Sequence, residues 1–204
     1  MSIVTLNDRG VRSVTTFGSV SGGSMVFIKK LTASSSSDLT FINGSSDVVF
    51  DSTYKEYVFT FKDIHAPGSG EDFSFQADTG TNTNYNQTIT STIFRAYHNE
   101  AGNDSALGYM SGIDIAQGTG FQSLVDDTGH DNDNCTVGYL RIFQPASTTF
   151  VKHFLATTNN VIDTYSQNFN VAGYFNTTTA LTRVRFKMTS GNIDAGDICL
   201  YGIL

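Results

Sequence analysis

The sequence predicts an all-β fold: an antiparallel β-sandwich of the jelly-roll type behind a short N-terminal arm. Three observations predict it. Only 15% of the 204 residues are charged while Ser and Thr are abundant, a balance that suits strands and turns better than solvated helices rich in Glu, Lys and Arg. Strand-length apolar clusters recur along the chain between groups of Gly, Asn, Asp and Ser. No ten-residue window carries a helical apolar stripe, and Ser111–Gln117 holds at most one helical turn.

Residues 1–24 read as a docking arm and linker. Ile3-Val4-Thr5-Leu6 leads through Arg9 and Arg12 to the small-residue run Gly18–Gly23, and a terminal segment with so little core of its own is ordered only by a partner. Residues 25–204 read as the sandwich domain. Its first strands are expected at Met25–Leu31 and Leu39–Ile42. In the next run Tyr57, Phe59 and Phe61 share one face, and Phe73 and Phe75 repeat the device beyond Pro67, Gly68 and Gly70, so the two runs read as a hairpin with a long loop. Further strands are expected at Ile89–Tyr97, Cys135–Phe143, Thr149–Thr157 and Phe169–Phe175. The clearest alternation is Arg183–Met188, with Val184, Phe186 and Met188 on one face and three cations on the other, the mark of a half-buried antiparallel strand. Asp197–Ile203 ties the C-terminus into a sheet.

This length is ordinary for one β-sandwich and buries on the order of 70% of the unfolded chain's surface. The 16 Phe and 9 Tyr supply the core. A formal net charge of −7, with no basic stripe, argues against a nucleic-acid partner, because phosphate contacts need clustered Lys and Arg. Cys135 and Cys199 lie far apart and form neither a zinc knuckle nor a CxxC pair. Two free thiols are favoured over one disulfide, because the start of the chain lacks the basic and apolar regions of a secretory signal. No stretch approaches the ~18 apolar residues of a membrane span.

Catalytic signatures are missing: no GxSxG, HExxH, Walker loop or GxGxxG entering a helix. The densest polar cluster, Asp126–Asn134, offers oxygen ligands of the kind calcium prefers, but its spacing departs from the EF-hand loop and it reads as a solvated loop. His65, His98, His130 and His153 are scattered. His98 beside Glu100 reads as a strand-end histidine rather than half of an acid–base pair, and His153, among Phe150, Val151, Phe154 and Leu155, as an interior or interface histidine. Tyr85, Tyr97, Tyr109 and Tyr165 lie near polar turns, where rings stack on sugars; with no Trp in the chain, packing is the favoured role. No cofactor and no metal are expected, and the chain is not expected to be an enzyme.

Several stretches resemble a group of marine bacteriophage structural proteins. They are Leu6–Thr15, Asp51–Phe59 followed by Asp63-Ile64-His65, Phe94–Glu100, Gln144–Phe154 and Ser190–Ile198, which together span most of the chain. Where that group carries Ile-His-Pro, this chain inserts Ala66 before Pro67. The resemblance implies a jelly-roll-like virion component on the particle exterior, tail-fibre or adhesin-like, and homotrimeric as such fibres generally are. Its expected partners are other virion proteins and a host surface glycan or receptor, with neither nucleic acid nor a membrane span involved. Leu6, Arg9, Val11, Arg12 and Val14 would dock it on the particle. Host contact would fall to two loops: Glu100, Asn103 and Asp104 in one, Asp127, His130, Asp131 and Asp133 in the other. The alternatives are a capsid decoration or head-fibre protein and, less favoured, a glycan depolymerase acting through a carboxylate pair.

Overall fold

A computed structural model describes residues 24–204; the expected docking residues Leu6, Arg9, Val11, Arg12 and Val14 lie outside them. Thirteen strands and no helix are found there, in the order β1 (Met25–Ser36), β2 (Leu39–Ile42), β3 (Glu56–His65), β4 (Phe73–Thr79), β5 (Ile89–Asn99), β6 (Ser105–Tyr109), β7 (Ala116–Gly118), β8 (Gln122–Ser123), β9 (Thr136–Phe143), β10 (Lys152–Ile162), β11 (Tyr165–Phe175), β12 (Leu181–Met188) and β13 (Ile193–Ile203). They form two antiparallel sheets packed face to face, a β-sandwich. One sheet runs β1-β13-β3-β9-β10-β11-β5-β6 with β7 also on β5, and the other β2-β12-β4-β8.

Burial alternates along the strands as their side chains alternate between faces. Val184, Phe186 and Met188 of β12 are buried, as are Tyr57, Phe59 and Phe61 of β3. Between the sheets Phe186 is the hub: its ring centroid lies 5.1 Å from Phe59, 5.4 Å from Phe61, 5.8 Å from Phe73, 6.2 Å from Phe41 and 6.3 Å from Phe75. Phe75 continues the core onto Phe154 of β10 and Phe175 of β11, at 5.1 and 6.0 Å. Edge-to-face pairs at such distances add to the area they bury.

The larger sheet divides at β9. β1, β13, β3 and β9, with the four strands of the smaller sheet, make an eight-strand frame. β10, β11, β5, β6 and β7 extend the larger sheet past β9. Along β5 the inward residues Ile89, Ser91 and Ile93 are buried, whereas Arg95 and Tyr97 are only half-buried. Along β11 burial falls from Phe175, Val171 and Phe169 to a half-exposed Tyr165. The smaller sheet and the segment after β8 therefore cover one end of the extension and leave the other open.

Several expectations need correction. β3 and β4 are not a hairpin; they belong to different sheets and meet through Phe61 and Phe73, ring centroids 5.1 Å apart. An apolar face on each run fits both arrangements, and the long connection lets the chain cross between sheets. Ser111–Gln117 makes a turn closed by the Ile113 amide on the Met110 carbonyl, 3.3 Å, and then enters β7. His153 is exposed, and its neighbour Lys152 is buried instead. The Lys152 ammonium donates to the carbonyls of Phe150 (2.9 Å) and Thr177 (3.1 Å), and burial lowers its pKa. Both cysteines are free, as the sequence predicts.

Candidate functional site

The open end of the extension holds a polar, aromatic cleft of about 240 Å³ lined by Arg95, Tyr97, Asp104, Tyr165 and Gln167. Backbone register assembles it. Tyr97 lies opposite Gln167 and Asn99 opposite Tyr165 in the β5–β11 ladder, so four inward side chains from two neighbouring strands meet there.

Asp104 comes from the β5–β6 turn, which Asn99 organises. The Asn99 carboxamide oxygen accepts from the amides of Asn103 and Asp104, both at 3.1 Å, and its nitrogen donates to the Asn103 side chain at 2.7 Å. A buried Asn bonding its own turn in this way replaces the backbone pairing that the strand end loses. The Tyr165 hydroxyl donates to Asp104 at 3.0 Å, and that bond to a carboxylate raises the phenol pKa. The rings of Tyr97 and Tyr165 stand edge to face, 5.8 Å apart. The Arg95 guanidinium lies 5.0 Å from the Tyr97 centroid, 3.5 Å from the Gln167 side-chain oxygen and 3.6 Å from Asp126.

Asp126 opens the second expected loop, so its contact with Arg95 brings the start of that loop to the cleft that Asp104 of the first loop also lines. Burial raises the Asp126 pKa, and so does the nearby Asp72 charge, while Arg95 opposes them. The rest of that loop leaves the cleft. The Asp127 carbonyl accepts from Asn160 at 2.8 Å, and the Asp131 carbonyl lies 3.2 Å from His65 Nε2, whose Nδ1 is 3.3 Å from Asp194. The loop thus runs across the sheet end from β5 to β3, four strand spacings or about 19 Å. Of the seven candidate loop residues, only Asp104 lines the cleft. Glu100 and Asn103 flank it, Asp127 stands one residue past the Arg95 contact, and exposed His130, Asp131 and Asp133 lie toward β3. Among the described residues no three His, Cys, Asp or Glu side chains come together as metal ligands, and no helix is long and apolar enough to cross a membrane.

Of the four tyrosines near turns, Tyr97 and Tyr165 line the cleft. Tyr85 is buried with the Arg185 guanidinium 3.8 Å from its ring centroid. Tyr109 is exposed and donates to Asp114 at 2.6 Å. Sequence reasoning missed Arg95 and Gln167, and the available signal was the break in strand patterning. Ile89-x-Ser91-x-Ile93 continues as Arg95-x-Tyr97, a change from core to solvent-facing chemistry within one strand.

The class of protein defined so far is a β-sandwich with a small polar cleft on an extended sheet. Compared with known proteins, the chain matches no family model, and neither a curated protein nor a solved structure matches it.

Proposed function

We propose that this chain is a virion-exterior recognition protein, tail-fibre or adhesin-like, that holds a neutral sugar of a host-surface glycan in the Arg95–Tyr97–Asp104–Tyr165–Gln167 cleft. It would work as a homotrimer docked through residues 1–24. One observation carries the sugar assignment: two tyrosine rings, a carboxylate, a guanidinium and a carboxamide converge on a cleft of about 240 Å³. That is smaller than the ~300–1,000 Å³ of drug-sized ligand sites and suits a single pyranose ring. Aromatic faces take the C–H face of a sugar, the carboxylate accepts from hydroxyls, and guanidinium and amide donate to them. The Arg95 charge is already answered by Asp126 at 3.6 Å, and Asp104 adds a second carboxylate to the cleft lining, so an anionic sugar gains little.

The strand order supports the jelly-roll reading. β1-β13-β3-β9 with β2-β12-β4-β8 is two sets of four strands, the eight-strand double-sheet pattern. The cleft then lies wholly on β5, β11 and the β5–β6 turn, outside that frame, where a fold acquires a site without disturbing its core.

The test is titration of the full chain with neutral monosaccharides and oligosaccharides, followed by amide chemical shifts. Millimolar binding, about −4 kcal/mol, with shifts at residues 95–104 and 165–167 that vanish in Arg95→Ala, is expected. Shifts elsewhere, or none with any sugar, would sink the assignment. Copy number in purified particles separates a few trimers at the tail from hundreds of copies decorating the head.

A further inference from the structure

We infer that the outward face of β9 and the extension, on the reverse side of the sheet from the cleft, is a self-association surface occupied by a second copy of this chain. The inference names the surface for the trimer proposed above and rests on that part of the reading, not on sugar binding.

Outward positions on β9, β10, β11, β5 and β6 form continuous rows. One row is Tyr139, Thr157, Asn170, Phe94 and Tyr109, each opposite the next in the ladders. Among the described residues eleven large apolar side chains are exposed, and seven lie at these outward positions: Phe94, Leu107, Tyr109, Val137, Tyr139, Leu155 and Val161. Leu107 is 71% exposed and Tyr109 55%, on an edge strand in which all five residues are exposed. The apolar area is on the order of 500 Å², at the upper end of what a monomer leaves bare and a large part of the ~800 Å² that each partner gives to a stable interface. Three adjoining hollows of about 290, 360 and 480 Å³ indent the same face; Leu155 lines the first two, and Phe143 and His153 the last two.

Charge identifies the occupant. The chain carries a formal net charge of −7, yet no outward position of these five strands is Asp or Glu. The one Arg among them, Arg141, is paired with Glu56 of β3 at 2.7 Å. A basic partner would be met by free carboxylates, whereas those at the margin of this face, Glu56 and Asp114, are already engaged by Arg141 and Tyr109. Copies of an acidic chain repel one another, so their contact is favoured where free carboxylates are fewest, because like charges brought together across an interface are strongly unfavourable.

The experiment is sedimentation equilibrium of the full chain at about 1–100 µM, a range that spans common association strengths. A mass that is a multiple of the 22.1 kDa chain is expected, falling to one chain in Leu155→Asp and in Phe94→Asp, whose strand circular dichroism stays that of the parent, while Ser45→Asp on an exposed turn leaves the mass unchanged. Leu107→Lys at the exposed edge provides a third, milder disruption should a carboxylate variant fail to fold. A monomeric parent overturns both the trimer and this surface. An oligomer that persists in the folded variants overturns the surface alone and leaves the trimer to another contact.

Discussion

The four frame strands β1, β13, β3 and β9 and the five strands of the extension belong to one continuous hydrogen-bonded sheet, yet they use their side chains differently. In the frame, the inward residues of β3 meet Phe41, Phe73 and Phe186 of the opposing sheet, and each ring is enclosed. In the extension, the same alternation runs out beyond the cover: β5 passes from Ile93 to Arg95 and Tyr97, and β11 from Phe169 to Gln167 and Tyr165. A strand end paired on both sides keeps its backbone satisfied without a second sheet above it. Its inward side chains are then free to be polar and to meet a ligand. Rigidity comes from the ladder, and chemistry from the missing lid.

Substitutions across this boundary test the contrast. Phe186→Ala removes the ring that touches five others and should cost about 3–5 kcal/mol, read as a lower denaturation midpoint. A cost near zero would mean that the frame is not the stability centre. Gln76 is fully buried, and its side-chain nitrogen faces the carbonyls of Gln87 (3.0 Å), Thr119 (3.3 Å) and Gly120 (2.9 Å). Gln76→Ala leaves those acceptors unpaired and should cost about 2 kcal/mol, with faster amide exchange in the segments before β5 and after β7.

Tyr57 sits in the frame with its hydroxyl donating to the Asp51 carbonyl and accepting from the Asp51 amide, both at 3.1 Å. Burial and the nearby Asp51 charge push its pKa up from 10.0 to about 12. Because the folded value exceeds the unfolded one, its contribution to stability is complete below pH 10 and is lost as pH rises through about 12,. Tyr57→Phe should cost about 1 kcal/mol at neutral pH and remove that alkaline decline, as thermal melts across the window will reveal. The smallest stability change is expected in the extension: Arg95→Ala should leave stability within about 0.5 kcal/mol while weakening sugar binding tenfold or more. If Arg95→Ala unfolds the chain instead, the cleft is a structural joint and the contrast fails.

Much of the frame was legible because its strands alternate cleanly: β2 was placed at its observed ends, and β12 with the correct face inward. β6 escaped notice because all five of its residues are exposed, so no alternation marks it, and β8 is only two residues long. The interior placement of His153 failed for a related reason, with Lys152 buried beside it. Apolar residues stand at both parities around them, in Phe150, Val151, Phe154 and Leu155, so only pairing with β11 and packing against Phe75 decide that Phe154 and Lys152 point inward. Two separate polar loops were visible, but not that one contributes Asp104 to the cleft while the other sends Asp126 to its Arg95.

The sequence by itself determined the class of fold, since alternation of apolar residues and the spacing of turn formers are local properties that a strand's two-residue period makes readable. Only the tertiary structure decided which strands lie beneath the smaller sheet and which extend past it, because sheet order depends on pairing between segments far apart in the chain. That decision turns Arg95, Tyr97, Asp104, Tyr165 and Gln167 into one cleft, and gathers the apolar, carboxylate-free residues of five strands on the opposite face.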